Sequence, residues 1–160
     1  MQTYQVGLIS LGLFSLLALF AIVSWRRRVA VQAAQLEVPR GVETSEVGRT
    51  CFYVATTYSD RPLDRVIAHG LAHRGRANLT VTQSGLEVSR TGESSFLIPR
   101  ADLLKVSTGS TVIDRAVENE GLVVIKWMLG KVELETHFRF VNSEFRLEIL
   151  EALRPLVDVR

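Results

Sequence analysis

From Val6 to Trp25 the chain runs twenty residues without a charge or a proline, and three consecutive arginines, Arg26, Arg27 and Arg28, end the run. A helix of that length rises about 30 Å, the thickness of a bilayer's hydrocarbon core. This feature divides the chain into an apolar N-terminal segment and a remainder that must fold in water. Two readings compete for the segment, a cleaved secretory signal and a permanent anchor. A signal places basic residues before an apolar stretch of about 7 to 15 residues and a small-residue cleavage site after it. Here Met1 to Gln5 carries no basic side chain, the run is longer, and the arginines stand where cleavage would occur. The expectation is an uncleaved single-pass anchor over 6–25, behind a short extracytoplasmic N-terminus, 1–5.

The same arginines set an orientation, because basic residues close to a span are retained on the cytoplasmic side. The N-terminus is expected outside and the C-terminal part in the cytoplasm. Trp25 suits the interfacial ring that aromatic side chains form at headgroup level, with Arg26, Arg27 and Arg28 just beyond it. The cluster reads first as a topology signal and only second as a site of specific lipid recognition. Small residues such as Gly7 and Gly12 recur in the span, but no GxxxG pair occurs to specify dimerisation.

Beyond the span, residues 26–49 read as a basic stop and linker. "VAVQAAQL" extends the helix until Pro39 and Gly41 end it. The 160-residue chain then has room for one compact domain, taken as 50–160. Its 19 basic and 17 acidic side chains leave a small surplus, which sits at the membrane junction, because from Cys51 onward the signs balance at 14 each. A neutral domain lacks the basic footprint of a nucleic-acid binder. Cys51 is the only cysteine and has no CxxC or Cys/His spacing around it, so a small buried hydrophobe is expected.

Alternation with a period of two dominates the domain. In "KVELETHFRF", Val132, Leu134, Thr136, Phe138 and Phe140 share one face, and Glu133, Glu135, His137 and Arg139 share a wet one. "LVVIKWML" precedes it across Gly130-Lys131, which suits a type II′ hairpin turn. "ANLTVT" and "GLEVSR" form a second hairpin around Gln83-Ser84-Gly85, and "CFYVATTY", "SSFLIP" and "LLKVS" add strands. In "NSEFRLEILEALRPLV", Asn142 or Ser143 is placed to cap a helix whose stripe is Phe145, Ile149, Ala152, Leu153 and Leu156.

An N-terminal span with its basic stop, followed by "LDRVIAHGLAHRGRANLTV", "FLIPRADL" and "GLVVIKWMLGKVELETHFRF", resembles the small membrane-anchored PH-like (pleckstrin-homology-like) proteins of actinobacteria. The resemblance covers the whole chain and implies a mainly-β domain: an antiparallel barrel of about seven strands capped by a C-terminal helix. Its motifs are structural and carry no chemistry.

The loop between the first two strands, "SDRPLDRVIAHGLAHRGRA", holds Arg61, Arg65, His69, His73, Arg74 and Arg76. In lipid-binding PH domains the corresponding loop grips headgroups, so the resemblance offers these six as partner- or headgroup-binding candidates. Asp60 and Asp64 interleave with them and partly neutralise them. His69 and His73 stand four apart, yet the intervening "GLA" lacks the glutamate of HExxH and no third ligand follows, so no metal is expected. "DRAVENEG", 114–121, reads as a solvated acidic loop. No GxSxG, P-loop or GxGxxG after a strand occurs, so no enzyme and no cofactor are expected. The chain is expected to be a membrane-tethered adaptor for an unidentified protein partner, with lipid-headgroup sensing or a transport-accessory role as the alternative.

Overall fold

The computed structural model describes residues 3–44, 47–109, 111–112, 115–116 and 122–157. Helix α1 (Thr3–Gln35) is long and apolar enough to cross a membrane. Its apolar stretch lies outside the domain core, with Phe14 and Phe20 each 72% exposed. Within 26–49, residues through Gln35 continue α1, and Arg40–Gly41 form a two-residue strand, β1.

The domain follows as β2 (Arg49–Tyr58), β3 (Gly75–Thr82), β4 (Gly85–Arg90), β5 (Phe96–Pro99), β6 (Leu103–Gly109), two-residue β7 (Thr111–Val112) and β8 (Arg115–Ala116), β9 (Leu122–Leu129), β10 (Val132–Arg139) and helix α2 (Ser143–Val157). Among the described residues, eight strands form one open antiparallel sheet in the order β1-β5-β4-β3-β2-β10-β9-β6, and β7 pairs with β8 in a separate two-stranded sheet. A mainly antiparallel domain finished by one helix, behind a long apolar helix, is the architecture expected. The acidic stretch 114–121 lies outside the described residues except for Arg115 and Ala116 in β8.

Local chemistry accounts for the turns. Val132 pairs with Leu129, which leaves Gly130-Lys131 as a two-residue loop, and Gly130 has φ 62° while Lys131 does not enter the left-handed region. Those signs are those of a type II′ turn. Gly85 has φ 142°, and a Cβ there would stand 2.1 Å from the Ile98 carbonyl oxygen, so the β4–β5 pairing requires glycine.

The core is aromatic at its centre. Phe96 and Trp127 stack with ring centroids 6.0 Å apart, and Tyr53 meets Phe96 and Phe138 edge-on at 6.4 and 5.8 Å. Asn142 caps α2 by accepting the Glu144 N–H at 2.8 Å. The helix buries Ile149 and Leu153, with Phe145, Leu150, Leu156 and Val157 packed against the core. Ala152, expected in the stripe, is exposed, because the buried face is centred on Ile149 and Leu153 and takes Leu150 and Val157 in its place. Arg49 ties α2 to β2: it pairs with Glu148 and its guanidinium lies 5.0 Å above the Phe145 ring.

His137 also departs from the expected wet face, since it is only 7% exposed. In register it lies between Ala55 and Val124, and its Nε2 is 3.3 Å from the Thr57 hydroxyl. The pairing shifts beside it, where Val54 is the extra residue of β2 between Tyr53 and Ala55. Burial lowers its pKa from the usual 6.5, against the weaker pull of Glu135.

Candidate functional site

The polar segment after β2 does not form an open loop. The last residues of β2 run past the end of β3's pairing, and the segment folds back to satisfy their backbone groups. Tyr58 N–H donates to the Asp64 carbonyl at 3.2 Å, Val66 N–H to the Thr56 carbonyl at 2.9 Å, and Thr56 N–H to the Leu71 carbonyl at 3.4 Å. Val66, Ala68 and Leu71 in this stretch are fully buried. Hydrophobic side chains thus staple the segment to the sheet, and its remaining polar groups face outward.

Helix α1 is seated on those groups. Val29, Gln32, Ala33 and Leu36 fall at i, i+3, i+4 and i+7, one side of a helix. Gln32 and Leu36 are 7% and 4% exposed, and Ala33 packs against the core. The Gln32 Oε1 accepts the Ile67 N–H at 2.8 Å and the Ala68 N–H at 3.4 Å, while its Nε2 donates to the Arg65 carbonyl at 3.5 Å. One amide therefore satisfies three backbone groups that would otherwise be buried or strained.

Two further contacts complete the seat. His69, at φ 56° and ψ 24°, brings its Nε2 to 3.2 Å from the Leu36 carbonyl at the end of α1, where helix carbonyls lack intrahelical partners. About two turns earlier, Arg28 reaches Asp64 at 3.4 Å, and Asp64 also holds Arg61 at 3.1 Å. At the other side of α1's end, a Cβ on Gly130 would lie 2.6 Å from the Glu37 carboxyl, so the β9–β10 turn abuts the same junction.

A buried hydrogen-bond chain fixes the seat to the core. Trp127 Nε1–H donates to the Thr136 hydroxyl at 2.9 Å, which is 2.8 Å from that of Thr56, which is 2.6 Å from the Tyr53 hydroxyl. Tyr53 closes the chain by donating to the Leu71 carbonyl at 2.7 Å. Burial pushes the Tyr53 phenol up to about 12, so it stays a donor. Arg90, 3% exposed, adds a donor to the Gly70 carbonyl at 3.0 Å and lies 4.9 Å above the Tyr53 ring.

The six loop residues picked from the sequence thus have separate surroundings. Arg61 pairs with Asp60 and Asp64 and stacks over the Tyr58 ring at 4.6 Å. Arg65 lends its carbonyl to Gln32, and His69 holds the end of α1. His73 pairs with Glu93 at 3.1 Å, Arg74 is exposed beside it in sequence, and Arg76 lies on β3 opposite Phe52. His69 and His73 do not share a helix face, because the helical turn spans only Ala68–Gly70. Trp25, Arg26, Arg27 and Arg28 all lie exposed on α1. Gln32, Leu36 and Arg90 were not among the candidates. The spacing from Val29 to Leu36 carried the signal for the first two, whereas Arg90 is unremarkable in sequence.

The polar groups of the arrangement are spent on backbone partners, as for Gln32 and His69, or on ion pairs, as for Arg28, Arg61 and His73. Beside the seat, Arg28, Arg61, Pro62, Leu63 and Asp64 line a cleft of about 480 Å³, with Leu63 79% exposed at its rim. No curated protein matches the chain, and no solved structure matches it. A family model described as bacterial PH domain-like matches residues 24–154, a stretch that begins inside α1 and takes in its seated turns together with the sheet and α2. The chain belongs to the bacterial PH domain-like family.

Proposed function

We propose that the chain is a single-pass membrane protein whose PH-like domain serves as a non-catalytic interaction module at the cytoplasmic face. The length of α1, the uncharged run to Trp25 and the arginines after it support a permanent anchor with the domain on the arginine side. The observation that carries the reading is the seat of α1 on the segment 64–69 through Gln32 and Leu36. A flexible tether would only keep the domain nearby. A seated helix holds it at one height and angle, which raises its effective concentration for a protein partner in the same membrane.

Crosslinking the full-length protein in its native membrane, with residues 1–40 as control, tests this. A stoichiometric protein partner found with the full chain and missing from the control is expected; recovery of none would overturn the adaptor role. A C-terminal reporter active only outside the cytoplasm should stay silent, and activity there would overturn the orientation.

The cleft of Arg28, Arg61 and exposed Leu63, where the single carboxylate of Asp64 faces two guanidiniums, favours a second reading, in which the domain also senses anionic headgroups at the foot of its own anchor. Arg61→Glu with Leu63→Asp should then reduce retention of anionic lipid by the purified full-length protein. Unchanged lipid retention would remove the cleft from the account.

A further inference from the structure

The open sheet has two edges, and they differ. At one, β1 is two residues long and offers almost no backbone for pairing. At the other, β6 runs seven residues, Leu103–Gly109, and among the described residues no strand pairs with it on the side away from β9. At about 3.3 Å per residue it presents some 23 Å of ladder. An edge of that length is a template for another extended chain unless something guards it.

Alongside this edge α2 leaves a groove of about 520 Å³. Its apolar lining is Val106 on β6 and Leu150 and Val157 on α2. Its charged lining is Lys105 and Arg154, with no carboxylate. Neither cation has an ion-pair partner among the described residues, although basic and acidic side chains balance over the domain as a whole. None of these residues takes part in the seat of α1.

The geometry points to the β6–α2 groove as a docking site for an extended acidic peptide of a protein partner, which adds a strand to β6 and sets its apolar side chains against Val106, Leu150 and Val157. Main-chain pairing supplies affinity, and alternate side chains supply selectivity, as in other strand-addition interfaces. The charge decides between occupants. A second copy of this chain pairing edge to edge would bring its own Lys105 and Arg154 to the same groove and repel, whereas Asp or Glu side chains neutralise both. This deepens the interaction-module reading and rests on it.

The test uses full-length protein in phosphatidylcholine nanodiscs and two fluorescein-labelled nine-residue peptides, one alternating valine with glutamate and one valine with lysine. The valine-glutamate peptide should bind by anisotropy and slow amide exchange across 103–109, and the valine-lysine peptide should do neither. Lys105→Glu with Arg154→Glu, both exposed and away from the core, should weaken the first by about tenfold and admit the second. Unchanged exchange at 103–109, or equal binding of both peptides, would overturn the proposal. So would protection of 103–109 that grows with protein concentration in the absence of peptide, because a second copy would then own the edge. The reporter and the membrane crosslinking do not involve this groove, so a partner recovered there without peptide binding at β6 would remove the groove and leave the tethered module standing.

Discussion

Gln32 and Ile67 are thirty-five positions apart in the chain and meet at 2.8 Å, the side-chain amide of a helix that leads out of the domain accepting a backbone N–H of the loop that caps it. The bond is partly buried, and its loss leaves two backbone donors without an acceptor. The junction between α1 and the domain is therefore part of the fold's packing.

Replacing Gln32 with alanine should loosen that junction by about 1–3 kcal/mol. Hydrogen exchange on the full-length protein in nanodiscs reads it directly. Ile67 and Ala68 amides should exchange faster while those of β9 and β10 stay as they were. Unaltered exchange at Ile67 would show that the seat rests on Leu36 and Ala33 alone.

Tyr53→Phe tests the buried chain behind the seat. The ring packing on Phe96 and Phe138 is kept, but the Leu71 carbonyl loses the nearer of its two donors and keeps only the Thr56 N–H at 3.4 Å, at a cost of about 1 kcal/mol. Denaturant unfolding followed by Trp127 fluorescence should move to lower midpoint with an unchanged slope. A midpoint equal to that of the parent would mean the carbonyl finds another donor.

His137 makes stability depend on pH with a definite sign. Its folded pKa is lowered by burial, so below its unfolded value near 6.5 the unfolded chain binds a proton that the folded one refuses. Stability is full above that value and is lost as pH falls from it toward the lowered folded value. The melting temperature should drop between pH 7 and pH 5, and His137→Gln should flatten the slope. A slope identical in the variant would assign the effect to other groups.

Cys51, 2% exposed, has its thiol pushed up to about 12 by burial. Alkylation by iodoacetamide at pH 8 should be very slow in the native protein and rapid in denaturant, since the thiolate is the nucleophile. Fast native labelling would show that β2 opens at Cys51 on the timescale of the reagent.

Periodicity is a local property, and what it governs was legible. The charge-free run marked α1. Alternation in "KVELETHFRF" placed β10, the nearly continuous apolar run "LVVIKWML" before Gly130-Lys131 placed β9, and the spacing of Phe145, Ile149 and Leu153 oriented α2, because each pattern needs only its own neighbours. Where the pattern broke down, a distant segment had intervened. The wet-face position of His137 is covered because Ala55, Thr57 and Val124 close over it beside the extra residue Val54, and nothing in β10 itself encodes that.

The candidate loop shows the same division. Its arginines and histidines announce a polar surface, but their partners lie elsewhere in the chain: Leu36 for His69, Glu93 for His73 and Arg28 for the Asp64 that holds Arg61. The amino-acid sequence by itself determined that this chain has one long apolar helix, an alternating antiparallel domain and a helix to finish it, since hydrophobic burial acts on patterns a few residues long. Only the tertiary structure decided that the first helix is bolted to the domain through Gln32 and that, among the described residues, no strand pairs with the outer side of β6 beside α2. Hydrogen bonds between residues some thirty-five positions apart, and the order of strands in a sheet, exist only once the whole chain has closed on itself.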